Sequence, residues 1–280
     1  MTIGIAAPIP AYKVNAGFLA KEVERLGFES IWYAEHPIIP VNLHTTKQQV
    51  PSNYPYFVDP YIALSQASGA TSKIKLGTGI TLIPERNPLI LAKAISTLDL
   101  FSGGRFILGV GTGWLREETE IMGGDFDHRW TQTEESLTAL KELWTKNEAE
   151  FHGNYYDFPP VRMFPKPKQK PHPPILIGGK AKNVFKRIVR CGNGWLPNYS
   201  GSGVTPQDIE HGKRTLEKIA LETGKDPGKF TISIHGMKSD KQLIEDFKNS
   251  GADRVIIRPN LTETESETTS ELEKIATQAL

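Results

Sequence analysis

The chain has 280 residues, 33 Lys and Arg against 32 Asp and Glu, and a single cysteine, Cys191. A formal charge of +1 removes the electrostatic case for nucleic acid or an anionic membrane as partner, and one thiol excludes an intrachain disulfide framework. No apolar run approaches the ~20 residues that span a bilayer, and Met1-Thr-Ile-Gly-Ile-Ala-Ala7 is too short and uncharged for a secretion signal, so a cytoplasmic protein is expected.

Strand and helix signals alternate along the chain. Eight strands are predicted, over 2–6, 30–34, 75–82, 105–110, 174–177, 194–197, 229–235 and 254–258. Several are continuous apolar runs, the pattern of parallel strands buried on both faces. The first helix, 14–26, stops at Gly27, a glycine C-cap. Asp59 and Asn87 each stand before a proline that opens a helix, at 60–70 and 88–100. Helices over 131–146, 205–222, 241–249 and 267–279 complete the set, the last entered through an acidic, threonine-rich loop at 262–270. Two stretches interrupt the rhythm. Residues 37–59 are polar and proline-bearing with no clear element. Residues 148–173 hold an alternating patch, 151–158, that reads as a β-hairpin turning at Gly153-Asn154. The run Pro165-Lys-Pro-Lys-Gln-Lys-Pro171 that follows is extended and cannot be helix. The pattern predicts one α/β domain over 1–280, a TIM (β/α)8 barrel with insertions after strand 2 (about 37–59) and before strand 5 (about 148–173). Loops of this length cover a site or order on ligand binding, although the proline run also reads as a plain spacer.

Active sites of such barrels lie at the carboxyl ends of the strands, which makes the residues at those ends the candidates. Glu35-His36 closes the second strand just before Pro37. A carboxylate beside an imidazole suits proton transfer or hydrogen bonding to a ring nitrogen, and reads equally well as a solvated pair. Gly77, Gly79, Gly109, Gly111 and Gly113 strip two strand ends of side chains. Bare main chain lets a flat or anionic group approach, tight barrel turns being the alternative. The dinucleotide fingerprint fails, because Trp114 stands where its third glycine belongs and no acidic strand end follows ~20 residues on. Gly178-Gly179-Lys180 joins a strand to a helix N-terminus. Free amides and the helix dipole there favour phosphate, and Lys180 and Lys182 add charge, although a simple turn gives the same pattern. His44, His128, His152, His172, His211 and His235 make no metal spacing, so no metal is expected. No GxSxG nucleophile elbow occurs. Trp114 and Trp195 stand at predicted strand mouths, where a flat ring could pack on them.

Taken together, these segments resemble the bacterial luciferase-like flavin superfamily over nearly the whole chain. The carriers are Ala34-Glu35-His36, Leu76-Gly-Thr-Gly79 with Arg86-Asn87-Pro88, Thr97-Leu98-Asp99, Ser102-Gly-Gly-Arg105, Gly109-Val-Gly-Thr-Gly-Trp114, Glu117-Glu118, Phe126 to Arg129, Leu143-Trp144, Tyr155-Tyr156, Pro171 to Pro174 and Gly192 to Trp195. The run from Gly113 to Glu118 and the Lys-Pro and His-Pro-Pro segments resemble the coenzyme F420-dependent oxidoreductase branch. The resemblance implies a barrel holding a flavin or deazaflavin at its mouth, with a non-prolyl cis peptide at Gly79-Ile80 behind the ring. It implies Glu35 as the ring-contacting acid and His36 as the catalytic histidine. Cofactor contacts are implied for Glu35, Thr78, Gly79, Ile80, Gly111, Thr112, Gly113, Trp114 and Trp195, and a phosphate loop at Gly178, Gly179 and Lys180. It further implies a homodimer built from helices of the second and third repeats.

Two departures stand out. The glucose-6-phosphate dehydrogenase branch carries a glutamate where this chain has Trp114. Many FMN-using members carry Arg-Tyr where this chain has Arg129-Trp130, which removes a hydroxyl from the FMN phosphate. The expected activity is therefore hydride transfer between coenzyme F420 and a small organic substrate. An FMN-dependent two-component monooxygenase, with a flavin or F420 reductase as partner, is the alternative. A non-catalytic flavin-binding protein is a second alternative, and a barrel hydrolase without redox cofactor a weaker third.

Overall fold

A computed structural model describes residues 1–45 and 49–280 of the chain; residues 46–48 of the predicted 37–59 insertion lie outside that range. In chain order the elements are β1 (Thr2–Ala6), α1 (Ala16–Arg25), β2 (Ser30–Tyr33), α2 (Pro60–Ala70), β3 (Lys75–Thr78), β4 (Thr81–Leu82), α3 (Pro88–Phe101), β5 (Phe106–Gly111), α4 (Arg116–Ile121) and α5 (Arg129–Thr145). They continue with β6 (Ala149–His152), β7 (Asp157–Val161), β8 (Ile175–Gly178), α6 (Val184–Cys191), β9 (Gly194–Leu196), α7 (Tyr199–Ser202), α8 (Pro206–Glu222), β10 (Thr231–Met237), α9 (Lys241–Asn249), β11 (Arg254–Ile257) and α10 (Glu265–Ala279). The caps behave as their side chains dictate. Asn15, Asp59 and Asn87 each accept two amides of the first turn of their helix, the free donors that every helix start exposes.

The strands run β3-β2-β1-β11-β10-β9-β8-β5, and β5 pairs back onto β3. Every one of these pairings is parallel. The result is a closed eight-strand parallel barrel clad in helices. The predicted strand over 75–82 is broken in two. β4 resumes the third barrel strand beyond the break and pairs Thr81 and Leu82 with Val110 and Gly111. The break contains a cis Gly79–Ile80 peptide bond, at the position the resemblance indicated. The hairpin expected around Gly153-Asn154 is β6 against β7, antiparallel and outside the barrel sheet. α4 and α7 have six and four residues, too few turns for a periodic sequence signal.

Two apolar layers hold the barrel. The inner one is small: Ala6, Trp32, Ile107, Leu176, Leu196 and Ile256, with Ile80 packed on top. The outer one lies between strands and helices and contains most of the buried Leu, Ile and Val side chains. Trp32 fills the barrel axis so closely that any Cβ at Gly77 would overlap its indole. No helix among the described residues is long and apolar enough to cross a membrane.

Candidate active site

The carboxyl ends of the barrel strands surround a cavity of about 410 Å³. Its wall includes Glu35 and His36 after β2, Gly79 and Ile80 between β3 and β4, Gly111 to Trp114 after β5, and Gly178 to Lys180 after β8. These eleven residues were singled out by the sequence, and each is placed by a strand end and not by a helix face. Asn198, His235 and Arg258 complete the far side. Tyr54 and Phe57, from the 37–59 loop expected to cover the site, enter from the segment before α2 and form a wall beside His36.

The His36 side chain is buried at this end, 8% exposed, and its Nδ1 lies 2.6 Å from Oε2 of Glu118, whose side chain is wholly buried. The imidazole sits among aromatic rings, with centroids 4.9 Å from Tyr54, 5.3 Å from Phe57 and 6.2 Å from Trp114. An ionised carboxylate only accepts, and opposite one Nδ1 would have to carry the hydrogen; Nε2 makes no hydrogen bond among the described residues. Glu118 follows from α4, the short helix that begins just after the Gly111–Trp114 turn; nothing in the local sequence joins it to a histidine 82 positions away. A second buried acid is close by. Glu85 accepts from the Thr119 hydroxyl at 2.9 Å. Burial, then the charge of Glu118, pushes its carboxyl up to about 8.

Glu35 has a different environment. Its carboxylate accepts from the Leu82 amide at 2.6 Å and from Arg86 through both Nε and Nη2, and Arg86 also reaches Asp59 at 2.9 Å. Burial pushes the Glu35 carboxyl up, while Arg86 and the Leu82 amide pull against it. Its role in the fold is to hold β4, and with it the Gly79–Ile80 turn, against β2. His235, on β10, is kept neutral: burial, aided by Arg258, drives its pKa down to about 3.

The strand-end glycines divide into two kinds. A Cβ on Gly79 would meet the His235 ring at 2.6 Å, one on Gly109 would overlap the Thr78 carbonyl, and one on Gly111 would overlap Ile80. These positions are bare because the protein's own atoms fill the space, which differs from the expectation that a ligand requires it. Gly179 is the other kind. Its φ is +90°, in the left-handed region, and nothing lies within 4 Å of the position a Cβ would take. It borders the cavity ahead of α6.

Three expectations are corrected. Trp195 does not line the cavity: it points outward from β9, packs on Phe185 at 4.9 Å and donates its indole N–H to the Gly179 carbonyl at 2.7 Å. Side chains alternate along a strand, and the inward position belongs to its neighbour Leu196. Thr78 is fully buried, with its hydroxyl bridging the amide and carbonyl of Gly109 at 3.0 Å each, and offers a ligand nothing. Lys180 borders the cavity, but its ammonium is paired with Asp208 at 2.7 Å, a residue that also caps α8. Among the described residues no group of three His, Cys, Asp or Glu side chains is placed to hold a metal.

The family model for luciferase-like monooxygenases matches residues 11–239. An uncharacterized protein of Mycobacterium tuberculosis is 37% identical over 217 residues, which are 74% of this chain and 74% of that one. An F420-dependent glucose-6-phosphate dehydrogenase of Amycolatopsis mediterranei is 29% identical over 189 residues, 66% of this chain and 53% of the relative. An FMNH2-dependent dimethylsulfone monooxygenase of Pseudomonas putida is 38% identical over a shorter 132 residues, 46% of this chain and 36% of the relative. Among solved structures, an F420-dependent secondary alcohol dehydrogenase in complex with an F420-acetone adduct shares the fold with a TM-score of 0.76 at 19% identity, covering 100% of this chain and 99% of that one.

Proposed function

The chain belongs to the luciferase-like monooxygenase family, and from this premise we propose that it is an F420-dependent oxidoreductase acting on a small organic substrate in the cavity at the barrel mouth. The observation that carries this reading is convergence: the Gly79–Ile80 turn, His36 and the open Gly179 turn all border one cavity.

The residues present fit a deazaflavin. Ile80 offers an apolar surface at the base of the cavity, and the unfilled space at Gly179 leads to the N-terminal amides of α6. Those amides, with Arg258 nearby, suit a phosphate-bearing tail. When bound, F420 supplies a ring carbon that takes up or releases hydride. The chain does the rest. Glu35 fixes the turn that carries Ile80. Gly111, Thr112, Gly113 and Trp114 form the wall along the tail. His36 takes or returns the substrate proton at Nε2. Tyr54, Phe57 and Trp114 keep water from that nitrogen and give the substrate pocket an apolar lining.

Trp130 lines the cavity where many FMN-using members carry a tyrosine, which supports F420 over FMN. The FMN reading keeps its support from the Pseudomonas putida relative. It would make the same site a two-component monooxygenase fed by a separate flavin reductase. We read 37–59 and 148–173 as insertions in one barrel domain spanning 1–280, the hairpin outside the barrel sheet supporting the second of them. A homodimer is supported by Ile62, Ile90 and Phe101, apolar side chains on α2 and α3 that are 66%, 72% and 74% exposed. A cytoplasmic location is part of the same reading, supported by a lone unpaired thiol, Cys191.

Tryptophan-fluorescence titration with F420 and with FMN tests the cofactor, because Trp114 and Trp130 line the cavity. Saturable quenching by F420 at lower concentration than by FMN is expected. Tight FMN binding without an F420 response would overturn the choice. His36→Ala tests catalysis: it should bind cofactor as the parent does and lose turnover.

A further inference from the structure

We infer that Glu118 is a positioning residue for His36, and that Glu85 serves as the neutral member of the buried acid pair that allows Glu118 to carry the charge. This rests on the reading of His36 as the residue that handles the substrate proton.

The first observation is the 2.6 Å contact between His36 Nδ1 and Glu118 Oε2, made where the Glu118 side chain has no exposed surface. An imidazole between a rigid acceptor on one side and an open cavity on the other has its tautomer chosen for it. With Nδ1–H donated to Glu118, Nε2 is the nitrogen left with a lone pair. A proton delivered to Nε2 turns the ring into a cation, and its counter-charge is already in contact. In a water-poor site that pairing stabilises the protonated ring more than a solvated carboxylate could. Glu35, the neighbour in sequence, cannot do this, because Arg86 and the Leu82 amide occupy its oxygens.

The second observation is the pair itself. Glu118 Oε1 and Glu85 Oε2 are both buried without a hydrogen-bond partner among the described residues. Two ionised carboxylates cannot share such a place, so one must hold a proton. The geometry says which. Glu118 faces an imidazole nitrogen at 2.6 Å, a group able to donate to a carboxylate and to become its counter-charge. Among the described residues Glu85 has only the Thr119 hydroxyl. The charged groups around the pair are His36 and Glu35 from the end of β2 and Arg86, which Glu35 engages; the buried polar residues of the neighbouring α5, Gln132, Thr133 and Ser136, are neutral. The canceled second charge matters for His36, since a dianionic pair would bind the imidazolium too strongly to let its proton leave.

The test reads the imidazole directly and needs no substrate. In protein labelled with ¹⁵N-histidine, the His36 ring signals are identified by their loss in His36→Gln. The neutral ring should show Nδ1 protonated and Nε2 bare. Glu118→Gln keeps an acceptor and should keep that form; Glu118→Leu removes it, and the Nδ1–H form should fall from nearly the whole population to a minority. A merely structural Glu118 would leave the tautomer unchanged in the leucine variant, and that result overturns the inference. If Glu118→Leu fails to fold, the unchanged protein still decides, because a bare Nδ1 in it refutes the positioning role and a protonated Nδ1 supports it. F420 quenching is measured on the same samples. Failure of the parent to bind F420 strikes the cofactor reading alone, whereas a changed tautomer with unchanged F420 binding supports positioning by Glu118.

Discussion

Glu85→Gln gives a stability change whose sign and size follow from the site. An ordinary glutamate ionises near 4.5, and in the folded chain burial and Glu118 push Glu85 up to about 8. Between those two values the folded chain holds a proton that the unfolded chain has released. Folding stability therefore falls as pH rises through this window. The contribution is fully present below 4.5 and lost by about 8. At about 1.36 kcal/mol per pH unit, the gap bounds the effect at about 5 kcal/mol. Relaxation and water entry around a newly ionised carboxylate bring the expected loss to about 2–3 kcal/mol. Glutamine has the same shape, keeps an acceptor for the Thr119 hydroxyl and does not titrate. The variant should match the parent near pH 5 and exceed it by about 2–3 kcal/mol at pH 8.5. Urea unfolding at four pH values between 5 and 8.5, with the slope of the transition checked for constancy, measures this. Parallel loss of stability in both proteins across the range would refute the assignment of the proton to Glu85.

Removing Arg86 as Arg86→Ala strands the Glu35 carboxylate in a buried place, and should cost about 3–5 kcal/mol in denaturant unfolding; a loss under 1 kcal/mol would mean that the carboxylate has found water or a proton. Gly111→Ala should force Ile80 off its seat, at a cost of about 1–3 kcal/mol for overpacking, and should weaken F420 quenching several-fold; unchanged F420 affinity would separate Ile80 from the ring. Trp114→Phe should reduce the cofactor-dependent quenching, leaving the part due to Trp130, while Trp195→Phe leaves it in place, since of the two exchanged indoles the first borders the cavity and the second does not. The reverse pattern would place the cofactor on the outer side of β9.

The barrel was readable because its signals are local. Apolar runs of four to eight residues, an Asp59 or Asn87 before proline, and glycine at helix ends each act within a few residues of the element they mark. Glu35 and His36 were readable for a related reason, as they follow a strand end directly. What the sequence concealed depends on neighbours brought by closure. Trp195 and Leu196 are adjacent, apolar and both buried, and only the register of β9 between β8 and β10 sends the leucine inward and the indole out. Gly111 and Gly179 are the same residue type at equivalent strand ends. One is bare because Ile80 from the next strand lies over it, the other because nothing does, and no pattern along the chain separates the two cases. Glu118 is the plainest instance. In sequence it is one of two adjacent glutamates in a charged stretch, the pattern of a solvated helix face. In the fold α4 turns it under the barrel mouth against a histidine from another strand end. The chemistry proposed for His36 is thus a property of the closed barrel: on that proposal, a chain with the same Glu35-His36 pair but no carboxylate delivered by the helix after β5 would hold its imidazole in a different tautomer, and its proton on a different nitrogen.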